Sequence, residues 1–419
     1  MKESRMVTGW LASLRSTAIG GFYAIAGIYA IVGLALLSAG ATDALAQQSF
    51  EQCRDRLQLA ALERGISEAT ASSILATVEP LERVIRADRN QPEFVQDFRQ
   101  YLNARVTTAR VETGRELYAQ HRALLDELTA ATGVPGQYLV AFWGLETNFG
   151  RVLGNVPVFD SLATLACDQR RSAYFTEEFV NALTIVERGD AEPAEMIGSW
   201  AGAMGQTQFM PSVYLAHAID GDGDGRANLW QSTPDALASA ARFLASLGWD
   251  PGYRWGREVS LPDGFDYGLA GYDQPQPLSA WRELGIRTVD GALMPALEID
   301  AALLVPAGSD GPAFLVYDNF GVIMRWNRSE FFALSIGHLA DRIAGGGALA
   351  RPPADVPRLS RDQLRAIQTA LNGRGFDAGG ADGVAGPQTR AAIRSFQASL
   401  GVVADGYPDI ELLGQLGLE

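Results

Sequence analysis

Histidine and cysteine are scarce in this 419-residue chain. The histidines are His121, His217 and His338, and the cysteines are Cys53 and Cys167. So few of either argues against a Cys/His zinc cluster and against a relay of imidazoles. Positive charge is also short: 34 Lys+Arg face 49 Asp+Glu, a net charge of -15. Such a surface repels phosphate backbones and anionic lipids, which argues against nucleic-acid binding and against docking on acidic membranes. What remains is ordinary globular material. Hydrophobic residues make up 47% and charged residues 20%, which excludes a disordered chain or a fibrous repeat. The length allows two or three domains, and no long-range repeat is found.

An uncharged run from Ser16 to Thr42 follows Lys2, Arg5 and Arg15. It leads to Ala44-Leu45-Ala46, a small-x-small pattern, so residues 1–46 read as a signal peptide cut after Ala46. A retained membrane anchor is the competing reading, because the run is long enough to span a bilayer. The residues before Cys53 (Ser49-Phe50-Glu51-Gln52) do not suit a lipid-attachment site. In an oxidising compartment Cys53 and Cys167 suggest one disulfide, with two buried thiols as the alternative.

Residues 47–343 read as a mainly helical domain of α+β type. Leu57, Ala60, Ala61 and Ile74, Leu75, Val78 follow the helical period. Arg105 to Ala131 is a long helix candidate, interrupted only by Gly114. Residues 251–330 are rich in Gly, Pro and Asp, and runs such as Phe314-Leu315-Val316-Tyr317 suggest a few strands. A helix from about Ser329 to Ile343 closes the domain. Residues 344–357 read as a linker, flexible at its Gly run and stiffer at Pro352-Pro353. Residues 358–419 form a small helical unit. Leu364, Ile367, Gln368 and Leu371 share one helix face there, and Ala392, Ile393, Phe396 and Leu400 another.

Three segments carry chemistry. In the first, Gln137 to Arg151, Glu146 shares a helix face with Phe142 and Trp143. A carboxyl group flanked by apolar rings loses hydration when ionised, which suits a general acid working near neutral pH. The alternative is a helix-terminal Glu paired with Arg151. The second segment, Ser199 to Tyr214, holds Gly202 and Gly205, which permit close backbone approach to a ligand. Gln206 and Gln208 there offer amides suited to a neutral ligand with hydroxyl and acetamido groups. A tight inter-helix loop is the alternative. In the third, Asp220, Asp222 and Asp224 occupy positions 1, 3 and 5 of an EF-hand-like loop, with Gly225 at position 6. Gln231 stands where that loop wants Glu, and Asp235 supplies a further carboxylate if the chain folds back. A structural calcium ion is expected, with a metal-free Asp/Gly turn as the alternative.

Taken together, GLETNFGR (Gly144–Arg151), GAMGQTQFM (Gly202–Met210) with Pro211, and the Asp220–Trp230 loop resemble the B-type lytic murein transglycosylases. Tyr317-Asp318-Asn319-Phe320 and Arg325-Trp326-Asn327-Arg328-Ser329 resemble that family's last substrate-contacting segment. Residues 359–417 resemble the small helical peptidoglycan-binding module, through Asp382-Gly383, Gly386-Pro387-Gln388-Thr389 and Phe396-Gln397.

The resemblance implies a lysozyme-like helical catalytic domain with a small β-containing subdomain, in a periplasmic enzyme. Glu146 would be its single catalytic acid. Ser199, Gln206, Gln208, Tyr317, Asn319 and Trp326 would contact substrate. Trp326 stands where the family has Tyr, so stacking would replace a hydroxyl contact. Calcium would sit on Asp220, Asp222, Asp224, Asp235 and the Arg226 carbonyl, and no organic cofactor is implied. The substrate would be peptidoglycan glycan strands, cut at the β-1,4 bond between N-acetylmuramic acid and N-acetylglucosamine to leave 1,6-anhydro ends. Wall-synthesis or wall-degrading enzymes are the protein partners implied. A muramidase with a second carboxylate (Asp160, Asp168 or Glu177 delivered by folding) and a non-catalytic wall-binding protein are the rival readings.

Overall fold

The computed structural model describes residues 49–89 and 96–418. The leader read over residues 1–46 lies outside them. Two compact units are distinguished, Met1–Arg56 and Leu57–Glu419. Of the first, residues 49–56 are described, and they are helical. Both cysteines, Cys53 and Cys167, are disulfide-bonded, so the alternative of two buried thiols falls away.

The second unit is built around the helix Gly136–Thr147, in which nine of twelve residues are buried. That helix is apolar on all sides, as a helix surrounded by others must be. Leu139, Val140, Ala141 and Phe142 are all fully buried, and each larger side chain contributes roughly 1.5–3 kcal/mol of transfer free energy. Gly144 is required by packing, because a Cβ there would lie 2.8 Å from the Phe149 ring. Helices Thr108–Gln120, Arg122–Thr132, Thr233–Ser246 and Glu330–Ile343 pack around it.

The long helix expected from Arg105 to Ala131 is two helices. They meet at His121, whose φ of -97° and ψ of 18° leave the helical region. The His121 ring then rests edge-on against Trp143, 5.9 Å between centroids. Tertiary packing sets this break, and no local residue announces it. The helix expected from about Ser329 is present as Glu330–Ile343, capped by the Ser329 hydroxyl accepting from Phe332 N–H.

The Gly/Pro/Asp-rich stretch forms a five-stranded antiparallel sheet. Its order is Gln276–Pro277, Asp300–Leu304, Ala313–Val316, Gly256–Ser260, Arg287–Thr288. Leu315 pairs with both Leu303 and Arg257. A second ribbon pairs Val156–Pro157 with Ile197–Gly198 and starts the loop beside Glu146.

The C-terminal module holds helices Arg361–Gly373, Pro387–Leu400 and Ile410–Gln415 around Ile367, Leu371, Ile393 and Phe396. Ser360 and Gln363 form a complete capping box. Buried Gln368 donates to Asp382, Val384 and Thr389 and accepts from Gly383 N–H, tying the turn to the helix.

The stretch read as a linker is tethered beyond its Gly run. Ala350 and Arg351 N–H groups both donate to the Glu258 carboxylate at 2.8 Å. Asp355 pairs with Arg99. The module itself is anchored by Ser309 N–H donating to Asp405 at 2.7 Å and by Arg394 donating to the Tyr267 carbonyl at 3.2 Å.

Candidate active site

Glu146 is the penultimate residue of the Gly136–Thr147 helix and is half-buried. The chain reverses directly after it through three left-handed residues, Asn148 (φ 50°), Phe149 (φ 61°) and Gly150 (φ 77°). For the first two this costs about 1–2 kcal/mol each. Thr147 holds the turn: its hydroxyl donates to the Gln206 carbonyl at 2.7 Å and accepts from Gly150 N–H at 3.0 Å. Strain of this kind beside a half-buried acid marks a built site.

The face over Glu146 is aromatic. Phe142, one turn earlier, is fully buried and packs 4.4 Å from the Trp326 ring. Phe209 and Phe243 lie 5.5 Å and 5.1 Å from the same indole. The Trp326 Nε1–H donates to Glu146 Oε1 at 2.9 Å. The expectation of stacking in place of a polar contact is therefore corrected, because the indole does both. Sequence reading missed Phe243 as a wall of the site and missed this hydrogen bond, whose partners are 180 residues apart.

Trp326 is the last residue of the helix Asp318–Trp326, and both ends of that helix are pinned. At its start, Asn319 is fully buried. Its amide donates to the Asp250 and Tyr253 carbonyls at 2.8 and 2.7 Å and accepts from Asp250 N–H. Asn319 thus has no exposed group to offer a sugar, and its expected role as a contact is corrected to that of a clamp. Tyr317 is likewise buried, in the apolar cluster under the sheet. Its hydroxyl is enclosed and the Arg257 guanidinium lies 5.7 Å from its ring, so it does not line an open cleft. At the other end, Arg325 donates twice to the Leu247 carbonyl, at 2.7 and 3.0 Å.

The 199–209 loop lies against the other side of the turn. Buried Gln206 accepts from Trp143 Nε1–H at 2.9 Å, so its side-chain oxygen joins loop to helix. Gly202 and Gly205 bring the loop onto protein: a Cβ would fall 2.3 Å from Leu162 and 2.8 Å from Leu229. Ser199 Oγ accepts from Ala201 and Ala203 N–H at 3.3 and 3.2 Å, which leaves its hydroxyl hydrogen as the part it can offer. Gln208 has a left-handed backbone (φ 51°) and donates its amide to the Leu153 and Gly205 carbonyls.

The three carboxylates that might have formed a second catalytic acid are engaged elsewhere. Asp160 accepts from Glu79 N–H at 3.2 Å, and its burial raises its pKa. Asp168 pairs with Arg89 at 3.1 Å, and Glu177 with Arg64 at 2.6 Å.

In the acidic loop, one carboxylate oxygen each from Asp220, Asp222 and Asp235 lies within 4.8 Å of the others. Asp220 accepts from the N–H groups of Gly225, Gly223 and Asp224, which hold its carboxyl below the ordinary range. Asp235, fully buried, accepts from Gly221 and Asn228 N–H at 2.8 and 2.7 Å. Three hard oxygen donors on a loop of this kind fit a calcium ion. Asp224 is not brought into the group; its Oδ1 accepts from Arg226 N–H at 2.8 Å. The Arg226 guanidinium reaches Glu195 and the Asp190 carbonyl.

A helical core with one carboxyl group in an aromatic wall is the architecture of a lysozyme-like glycan-cleaving enzyme, and comparison with known proteins agrees. The transglycosylase SLT domain matches residues 49–341, and a peptidoglycan binding domain matches residues 360–416. The chain belongs to the SLT transglycosylase family and is a lytic murein transglycosylase, an enzyme of peptidoglycan cleavage. It is 28% identical over 302 residues to membrane-bound lytic murein transglycosylase B of Escherichia coli K12, spanning 67% of this chain and 79% of that protein. The structure of SltB3 from Pseudomonas aeruginosa in complex with NAG-anhNAM-pentapeptide superposes with a TM-score of 0.84 at 44% identity, covering 88% of this chain and all of that one. Escherichia coli Slt35 in complex with calcium gives 0.61 at 28% identity, covering 71% of this chain and 92% of that one. Among the described residues, no helix is long and apolar enough to cross a membrane.

Proposed function

We propose that Glu146 alone serves as acid and then base in cutting the β-1,4 bond between N-acetylmuramic acid and N-acetylglucosamine. The observation that carries this is the environment of its carboxyl group: aromatic rings on one side, which disfavour charge, and the Trp326 indole N–H donating at 2.9 Å, which favours it. A group so placed can hold either form. Neutral Glu146 gives its proton to the leaving oxygen as an oxocarbenium-like state develops. The sugar's own C6 hydroxyl attacks C1, and the Glu146 carboxylate takes the proton released. The product is a 1,6-anhydro sugar, no water is consumed, and Glu146 ends as it began.

The Ser199 hydroxyl and the Gln208 amide oxygen supply polar contacts to the sugar beside the acid. The commitments of Asp160, Asp168 and Glu177 favour this route over hydrolysis. The complex of SltB3 with an anhydro-muropeptide supports the same product class. The Asp220, Asp222 and Asp235 group holds a structural calcium ion, and residues 1–46 export the chain to the periplasm, where the C-terminal module binds glycan strands.

Mass spectrometry of muropeptides released from purified peptidoglycan tests the reading. Wild type should release products lighter by one water than lysozyme products, and Glu146→Gln should release none while still sedimenting with the wall. Hydrated reducing ends would make the protein a muramidase. Wall binding with no release from wild type would make it a binding protein.

A further inference from the structure

We propose that Gln206 is a positioning residue: its side-chain oxygen, hydrogen-bonded to the Trp143 indole, sets the helical turn from which Glu146 projects. The inference rests on the acid/base reading of Glu146 given above. Gln206 is 4% exposed, and it holds residues on both sides of the acid. Trp143 stands three positions before Glu146 and is its neighbour on the helix face. Its Nε1–H donates to Gln206 Oε1 at 2.9 Å. Thr147, the residue after Glu146, donates its hydroxyl to the Gln206 backbone carbonyl at 2.7 Å. The same hydroxyl accepts from Gly150 N–H at 3.0 Å. One residue of the 199–209 loop thus reaches both the helix end and the reversal that follows it.

Gln206 is itself placed from the opposite side. Its N–H donates to the carbonyl of fully buried Leu229 at 2.8 Å. The residue before Leu229, Asn228, is held by its N–H donating to Asp235 at 2.7 Å. The Thr233 hydroxyl faces Gln206 Oε1 at 3.5 Å. Little slack is left on either side. A Cβ on Gly205 would fall 2.8 Å from the Leu229 side chain, and one on Gly150 would fall 2.6 Å from Gln206 Oε1. The chemistry of the pair gives the amide a single orientation. An indole N–H only donates, so the amide oxygen and not its nitrogen faces Trp143. An apolar side chain of similar length would leave the indole N–H without this acceptor and the turn free to shift. A catalytic group misplaced by about 1 Å can lose roughly 10²-fold in rate. The backbone contacts of residue 206 survive such a substitution, which isolates the share of its side chain.

The test uses the full chain and soluble glycan strands. Gln206→Met removes the acceptor at nearly constant size. A chain carrying benzothienylalanine at 143 removes the donor and keeps the bicyclic shape. Each is compared with wild type, with the double replacement and with Glu146→Gln. The proton resonance missing from the benzothienylalanine chain belongs to the Trp143 indole N–H. In Gln206→Met that resonance should move, and its hydrogen exchange should quicken about tenfold. kcat should fall roughly tenfold in each single replacement, with KM within about twofold. The double replacement should be no slower than the slower single one, because both remove the same contact. A lowered melting temperature with kcat of the folded chain unchanged would leave only a structural role and overturns the inference. So does a raised KM with kcat unchanged, which would make Gln206 a sugar contact, and so do rate losses that multiply in the double replacement. The benzothienylalanine chain keeps Gln206 intact, and a kcat there within about twofold of wild type overturns the inference whether or not Gln206→Met folds. Full activity in Glu146→Gln removes the acid/base reading and this inference with it. An inactive Glu146→Gln beside a fully active Gln206→Met removes this inference alone.

Discussion

At the end of the Gly136–Thr147 helix a single carboxylate stands among aromatic rings, whereas in the 220–235 loop four carboxylates stand among backbone amides. Glu146 has Phe142 beside it and the Trp326 indole on one oxygen. Asp220 has three backbone N–H groups, and Asp235 has two. Amides that converge on a carboxylate fix its charge, and a fixed anion can hold a cation but cannot exchange a proton near neutral pH. Aromatic walls beside a carboxyl group disfavour its charge and leave it changeable. The number of acidic residues in a segment therefore says little about its chemistry, and their nearest donors say much.

The contrast can be broken most forcefully at its single member. Glu146→Gln should lower muropeptide release by on the order of 10³-fold without lowering the melting temperature; a loss of stability of similar size to that of a core mutant would mean the residue is structural. The loop should fail differently. Asp235→Ala leaves two buried N–H groups unpaired, and thermal unfolding should register a loss of about 2–4 kcal/mol. Asp224→Ala should cost under about 1 kcal/mol. Equal losses would deny the grouping of Asp220, Asp222 and Asp235. Calcium at about 100 times its dissociation constant should add about 2.7 kcal/mol to wild type, seen as a raised melting temperature that Asp235→Ala does not share.

A third arrangement, a buried group kept neutral, extends the comparison at smaller amplitude. His338 is 8% exposed, and burial, helped by nearby Arg342, lowers its pKa to about 4. The unfolded chain takes up this proton near pH 6.5, before the folded one does. Stability from this group is thus complete above about pH 6.5 and is lost as pH falls toward 4, by up to roughly 2–3 kcal/mol. His338→Gln should flatten the denaturation midpoint over that interval; an unchanged slope would place the acid sensitivity elsewhere. The smallest effect is expected at Glu258→Gln, which weakens the hold on Ala350 and Arg351. Limited proteolysis within residues 344–349 should quicken a few-fold, with cleavage of peptidoglycan little changed.

Local features of the fold were legible before any coordinates. The Glu146 helix end, the helix starting near Ser329, the Gly/Pro/Asp-rich sheet and the module helices each carry their signal within a short stretch of sequence. Long-range pairings were not. Asn319 reads as an exposed polar residue in a motif, yet the Asp250–Tyr253 turn consumes its amide. Gln206 reads as a ligand, yet its side-chain oxygen accepts from Trp143. The break at His121 has no Gly or Pro to signal it and comes where the His121 ring meets that of Trp143. The aromatic wall was half legible: Trp326 was visible as a departure from the family's tyrosine, but the direction of its N–H depends on how two distant helices dock.

The three left-handed residues after Glu146, with Gly144 closed against Phe149, have a consequence for motion. The acid is seated on a closely packed turn, where the backbone has little room to shift. It is the fixed point toward which a glycan strand must be drawn, so any adjustment during turnover falls to the sugar and to the 199–209 loop.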